Sequence, residues 1–354
     1  MKGKAPGISR PALSTIHINH RVSRKYPDNV VKHPNFKCTR RRTPCNGNAK
    51  KQRKLLKETE INEKTPEIEL PKGVDDIDSS HSKSQFHVYQ YARGIYLYLR
   101  YLEDKYCIQE IKLEGTEITS KMRAILIDWI CDVSCHFKLT QETFHLTIHI
   151  IDKYMQIDRT TSRDNLQLVG LGAIFIATKY EEVNPLELND LMFVSDSAYK
   201  SEQILKMEEK ILQSIEFILG QPSAITFLRR FSKAAKAQQM QHTFSKYIID
   251  LCLLDHTLSH IKPSVIASAA IYIASCISND EVNPEFWTPS LVYYSGYSYN
   301  DFEHIISKLA QNIVQANSSK LQAIQNKYAS AELLSVSRMP CFRPEAGVIN
   351  ELCK

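Results

Sequence analysis

Along most of the chain the apolar positions recur every three to four residues, the period of an α-helix buried on one side. From Phe86 onward, Ile95, Leu97, Tyr98, Leu99, Tyr101 and Leu102 belong to an aromatic-rich amphipathic helix. Further helices are predicted at about 117–137, 141–157, 163–182 and 200–216. Gly220-Gln221-Pro222 breaks the pattern. A second set is predicted at about 222–236, 239–257, 263–279 and 299–316. Pro263, Pro284 and Pro289 fall at helix starts or in loops, where proline is tolerated. Almost nothing reads as strand, so the expected fold class is all-α.

The two helical sets are related. Gly172-Ala-Ile-Phe-Ile-Ala-Thr178 matches Ala269-Ala-Ile-Tyr-Ile-Ala-Ser275 position by position. Each is a small-plus-β-branched helix with hardly a polar face, best buried at the centre of a bundle. Two copies imply two bundles of similar fold. The copies differ where the first continues into Lys179-Tyr180-Glu181-Glu182 and the second into Cys276. Packing did not require that charged cluster, so special chemistry is expected on the first bundle.

The first 84 residues lack sustained apolar periodicity and are rich in Lys, Arg, Asn, Pro and Ser. They hold 19 Lys/Arg against 9 Asp/Glu, whereas 85–354 hold 26 against 30. The reading is a disordered basic tail on a mildly acidic globular body. The expected division is 1–84 tail, 85–219 first bundle with its preceding helix, 220–330 second bundle and 331–354 C-terminal tail.

Nine cysteines are scattered, no signal peptide is apparent, and no apolar run is long enough for a bilayer. Reduced thiols in cytosol or nucleus are therefore expected, with no membrane partner. Cys131-x3-Cys135 and His145-x3-His149 have offsets that can bind zinc. A zinc finger needs a β-hairpin, and both pairs lie in helical patterns. They are read as packed or surface side chains, and no metal or cofactor is expected. No phosphate loop, nucleophile elbow or paired catalytic carboxylates point to an enzyme.

One stretch carries more than periodicity. Met122, Ile125, Leu126 and Trp129 sit at i, i+3, i+4 and i+7, with Asp128 and Asp132 flanking the stripe. Met122-Arg-Ala-Ile-Leu126 resembles the signature helix of the cyclin box. The likeness continues through Leu166-Gln-Leu-Val-Gly170, Lys179-Tyr-Glu-Glu182, Gln203-x-x-x-Met-Glu208 and Phe227-Leu-Arg-Arg230. Gln241-His-Thr243, Lys246-Tyr247, Trp287-Thr-Pro-Ser290 and Asn326-Lys-Tyr-Ala329 resemble the second box of B-type mitotic cyclins. The resemblance implies two tandem five-helix cyclin-box bundles, an extra N-terminal helix and a disordered N-terminal tail.

It also implies a non-enzymatic partner of a mitotic cyclin-dependent kinase, in nucleus and cytoplasm. The kinase-facing positions carried over are Lys179, Tyr180, Glu208 and Phe217, with Ile95 and Tyr98 on the first helix. Arg123 and Asp152 match an internal salt bridge of structural role. A partly exposed docking patch for Arg-x-Leu substrates would use Met122, Ile125, Leu126, Trp129, Leu166 and Gln167, flanked by Asp132 and Arg163. The family often has Glu where Asp132 stands. Arg229, His242 and Lys246 match a phosphate pocket for phosphorylated partners. There His242 would add a pH-dependent charge near its ordinary value of about 6.5.

Arg10-Pro-Ala-Leu13-Ser-Thr-Ile16-His-Ile-Asn19 resembles a destruction box read by the anaphase-promoting ubiquitin ligase, with the Asn one place late. Lys25, Lys32 and Lys37 lie close by as acceptors, and Thr43-Pro44 and Thr65-Pro66 are proline-directed phosphosite candidates. A competing reading keeps the fold but makes it a transcription-factor-like core that binds nucleic acid through the basic tail. The net negative body suits phosphate backbones poorly, so direct nucleic-acid binding is not expected.

Overall fold

The computed structural model describes residues 70–79, 89–110, 113, 115–342 and 347–354. The destruction-box-like residues Arg10, Leu13, Ile16 and Asn19 lie outside them. Among the described residues there are thirteen α-helices, several 3-10 turns and no strand. After α1 (Tyr89–Lys105), the first bundle holds α2 (Ser120–His136), α3 (Gln141–Ile157), α4 (Leu166–Glu181), α5 (Leu188–Val194) and α6 (Ser201–Ser214). The second holds α7 (Ala224–Ala234), α8 (Gln239–Cys252), α9 (Pro263–Asn279), α10 (Pro289–Ser295) and α11 (Glu303–Ser318). Two short helices follow, α12 (Ala323–Tyr328) and α13 (Gly347–Leu352).

The matched segments are the hubs of the two bundles. Helix α4 packs on α2, α3 and α6, and α9 packs on α7, α8 and α11. Every residue of α4 from Leu168 to Thr178 is buried, as is α9 from Ile266 to Ala274. The helix boundaries follow local chemistry. Thr119 and Thr140 accept hydrogen bonds from the third residue on, Met122 N at 3.2 Å and Thr143 N at 3.3 Å, as N-cap side chains do. Proline opens α9 and α10, where its missing N–H costs nothing.

The repeat extends to the ends of the first helices. In α2, Lys138 N reaches Cys135 O and Leu139 N reaches Ser134 O; in α7, Lys236 N reaches Lys233 O and Ala237 N reaches Ser232 O. Both are Schellman turns, with Lys138 (φ 54°) and Lys236 (φ 52°) in the left-handed position usually given to glycine.

Two parts of the expected division differ. Residues 70–79, read as disordered tail, have defined positions against the second bundle, and Ile77 is buried there. The described residues of the expected C-terminal tail, 331–342 and 347–354, pack on the body. Val336, Phe342, Val348, Ile349 and Leu352 are buried, with Phe342 edge-on to Phe244 and Tyr247. Helix α1 precedes the first bundle in sequence, yet its side chains bond to the second. Tyr96 OH reaches Thr226 O at 3.3 Å, and buried Glu103 accepts from Ser264 N (3.1 Å) and Oγ (2.6 Å).

Candidate functional site

The charged end of α4 is placed by packing beneath it. A Cβ on Gly172 would lie 3.0 Å from Met207 Cγ and from Ile211 Cδ1, so glycine there lets α6 approach α4 without displacing either side chain. That approach brings Glu208 of α6 against Lys179, and the two are hydrogen-bonded. Lys179 Nζ also sits 3.9 Å from the Phe175 ring centroid, a cation–π contact. The carboxylate is mostly covered and the ammonium more exposed.

Large apolar side chains face water next to Lys179 in sequence, on α1 and after α6. Tyr180 is exposed, and so are Ile95 and Tyr98 on α1. Phe217 is 67% exposed. It follows α6 in a Schellman turn, with Phe217 N on Leu212 O and both Glu216 (φ 54°) and Phe217 (φ 58°) left-handed. Left-handed backbone at a non-glycine residue costs about 1–2 kcal/mol. The chain accepts this twice in succession to hold a phenyl ring outward. Leu97 and Tyr101 of α1, Leu205 of α6 and Val183 just past α4 are also exposed.

The rest of the cluster has a different job. Glu182 Oε1 accepts from Thr140 N (2.7 Å), Thr140 Oγ1 (3.0 Å) and Thr143 Oγ1 (2.6 Å), so it closes the start of α3. Burial, then Glu142 and Glu182, pushes the Glu181 carboxyl up.

The docking stripe is narrower than its spacing implies. Leu126 is 0% and Trp129 5% exposed, and Leu166 is buried as well. The reason is Gly170 on α4, whose Cβ position lies 2.8 Å from Leu126 Cδ1 and 3.5 Å from the Trp129 ring. Glycine draws the two helices together and takes the middle of the stripe into the core. Met122, Ile125, Gln167 and Asp132 are half-buried and Arg163 is exposed. Burial, with Asp132 adding repulsion, raises the Asp128 carboxyl to about 6 although it accepts from Ala323 N at 2.9 Å.

Arg229, His242 and Lys246 come together across α7 and α8. Burial, then Lys246 and Arg229, lowers His242; burial also lowers Lys246. His242 Nδ1 lies 2.8 Å from Ser232 Oγ. Arg229 is engaged with Glu142 of the first bundle. The ordinary imidazole value of about 6.5 therefore overstates where His242 charges in this surrounding.

Arg123 is fully buried. Its Nε and Nη2 meet the two Asp152 oxygens at 2.6 Å each, and Nη1 donates to Leu253 O at 2.9 Å. One guanidinium thus joins α2, α3 and the end of α8. A second buried network escaped the sequence reading. Asp250 accepts from Gln141 Nε2 (2.8 Å), Lys327 Nζ (2.7 Å) and Tyr328 OH (3.0 Å), and lies 2.8 Å from His145 Nε2. His145 is thereby accounted for without a metal. Burial drives His149 down to about 4. No group of three or more potential ligands gathers among the described residues.

Two family models match the chain, the cyclin N-terminal domain over residues 94–220 and the cyclin C-terminal domain over 222–342. The chain belongs to the cyclin family. Cyclins are non-catalytic regulatory proteins. The chain is 39% identical over 273 residues to the G2/mitotic-specific cyclin-B of Patella vulgata, 77% of this chain and 66% of that protein. It is also 39% identical over 277 residues to the G2/mitotic-specific cyclin-B1 of Xenopus laevis, 78% of this chain and 68% of that one. It thus spans about two thirds of the length of these relatives. A crystal structure of a viral cyclin from herpesvirus saimiri superposes with a TM-score of 0.50 at 19% identity, covering 69% of this chain and 99% of that one. This last likeness bears on the fold alone. Among the described residues no helix is long and apolar enough to cross a membrane.

Proposed function

We propose that this cyclin is the regulatory subunit of a mitotic cyclin-dependent serine/threonine kinase. The observation that supports the proposal is the Lys179–Glu208 pair, set at the end of a buried helix next to the exposed Tyr180. The second bundle has an equivalent central helix without it. Phosphoryl transfer needs the kinase's own Lys–Glu pair and metal-binding Asp in place. A cyclin favours that arrangement by contacting the active state better than the inactive one. In this reading Lys179 and Glu208 bond kinase backbone groups, while Ile95, Tyr98, Tyr180 and Phe217 cover apolar surface.

Three finer assignments accompany it. Met122 and Ile125, over a floor of Trp129, Leu126 and Leu166, take the leucine of Arg-x-Leu substrates, with the cation near Asp132. Arg229, His242 and Lys246 hold a phosphate of a phosphorylated partner. The Arg10–Asn19 motif hands the protein to the anaphase-promoting ubiquitin ligase at mitotic exit, and the protein works in nucleus and cytoplasm. The central test is reconstitution with the kinase. Truncating one member of an interfacial charge pair costs on the order of 2–5 kcal/mol, so Lys179→Ala is expected to reduce activation at least tenfold with an unchanged helical circular-dichroism spectrum. Unaltered kinase binding and activity would remove the assignment.

A further inference from the structure

Residues 70–79 form a strap over α7 and α10. Its shape is set locally. Val74 N reaches Pro71 O at 3.1 Å, and Gly73, third in the turn, has φ +86°, which a type II turn requires. Asp76 Oδ1 accepts from Asp78 N (2.9 Å) and Ser79 N (3.1 Å), fixing a second bend.

The body reads this strap as it would read a bound peptide. Ser290 Oγ accepts from Asp75 N at 3.0 Å, and Lys236 Nζ lies 2.9 Å from the Asp75 carboxylate. Tyr294 OH donates to Asp75 O at 2.9 Å and accepts from Ile77 N at 3.3 Å. Ile77 is buried. Arg230 grips Asp78 with two parallel bonds of 2.5 and 2.7 Å. The same guanidinium stacks between Tyr96 and Tyr294, 4.9 and 4.8 Å from their centroids.

With the strap in place Arg230 is buried and its charge is met by the Asp78 carboxylate. Arg230 and Lys236 together make the groove complementary to an acidic occupant. None of its groups depends on the strap being covalently attached. We infer that Tyr96, Arg230, Lys236, Ser290 and Tyr294 form a binding groove for extended acidic peptides of the pattern Asp-x-apolar-Asp. In the resting chain Asp75–Asp78 fill it, and a partner protein carrying the same pattern takes it when the strap lifts. The tethered copy acts at an effective concentration on the order of millimolar, so the strap blocks weak competitors and yields to strong or multivalent ones.

The test uses the full chain and a fluorescent peptide of sequence 70–79. With Ile77→Ala and Asp78→Ala in the protein, anisotropy should show the peptide binding at least tenfold more tightly than to wild type. A peptide with Asp78→Ala should lose at least tenfold. Adding Lys236→Glu, at an exposed position, to the strap-broken protein should cost threefold or more. Should the double variant fail to fold, Asp78→Asn leaves Arg230 an acceptor while weakening the strap, and the same ordering is expected. Equal affinity for wild-type and strap-broken protein, or no binding to the latter, overturns the inference.

Discussion

His145 of α3 and Asp250 of α8 lie 2.8 Å apart, both buried, one from each bundle. Burial alone would push the Asp250 carboxyl up. The charge of Lys327, with the bond and charge of His145, more than offsets it and holds the group well below the usual carboxylate range. A depressed folded-state value means the stabilisation is complete above the unfolded value of about 4 and is lost as pH falls below it. Asp250→Ala leaves the half-buried Lys327 without its anion and should cost about 3 kcal/mol. Urea unfolding at pH 7 and pH 3 checks both statements: the gap between wild type and variant should be widest at the first and reduced, but still open, at the second.

The docking stripe separates into two classes. Trp129 is core, and Trp129→Ala should cost about 3–5 kcal/mol of stability. Met122 and Ile125 are half-buried, so Met122→Ala with Ile125→Ala should leave the unfolding midpoint close to wild type. Kinase assays on an Arg-x-Leu substrate should then fall several-fold, while those on a short peptide lacking the motif stay constant. A parallel loss on both substrates would assign the stripe to the kinase interface or the core.

Arg229 is held by Glu142, so any phosphate must compete with a carboxylate already present. Glu142→Gln should strengthen binding of a phosphothreonine peptide severalfold, whereas Arg229→Ala with Lys246→Ala should abolish it. His242 is lowered by burial and by its cationic neighbours, so its contribution should grow only below about pH 6.5. Calorimetric titration with phosphorylated and plain peptide tests this; equal affinities in the wild type would remove the pocket.

The Arg10–Asn19 motif lies outside the described residues, and its test is functional. Arg10→Ala with Leu13→Ala should prolong the half-life in a mitotic extract several-fold and leave kinase activation unchanged. A wild-type half-life would show that the displaced Asn19 deprives the motif of its receptor.

What was legible in the sequence follows from how each feature is encoded. The central helices were readable because burial on all sides writes itself into every residue of Gly172–Thr178 and Ala269–Ser275. Helices α3 and α9 end where their periodicity does, at Ile157 and Asn279. Helices α5, α10, α12 and α13 are one to two turns long, too short to show a period, and were missed. Lys179 and Glu208 were linked through resemblance, since 29 residues separate them and no pattern joins them. Asp250 and Lys327 look like surface charges in sequence; only folding shows them buried together. Ile77 is a single apolar residue among acids, which is why the strap read as tail.

Arg123 has one more consequence. It and the Asp250 network bring bonds of fixed direction to the junction of the bundles, where apolar packing alone would allow sliding. Apolar surfaces tolerate small shears at little cost, but a guanidinium holding two carboxylate oxygens and a carbonyl has one good orientation. The junction of the two bundles is therefore held in register by oriented bonds, and whatever grips one bundle is tied through them to whatever grips the other.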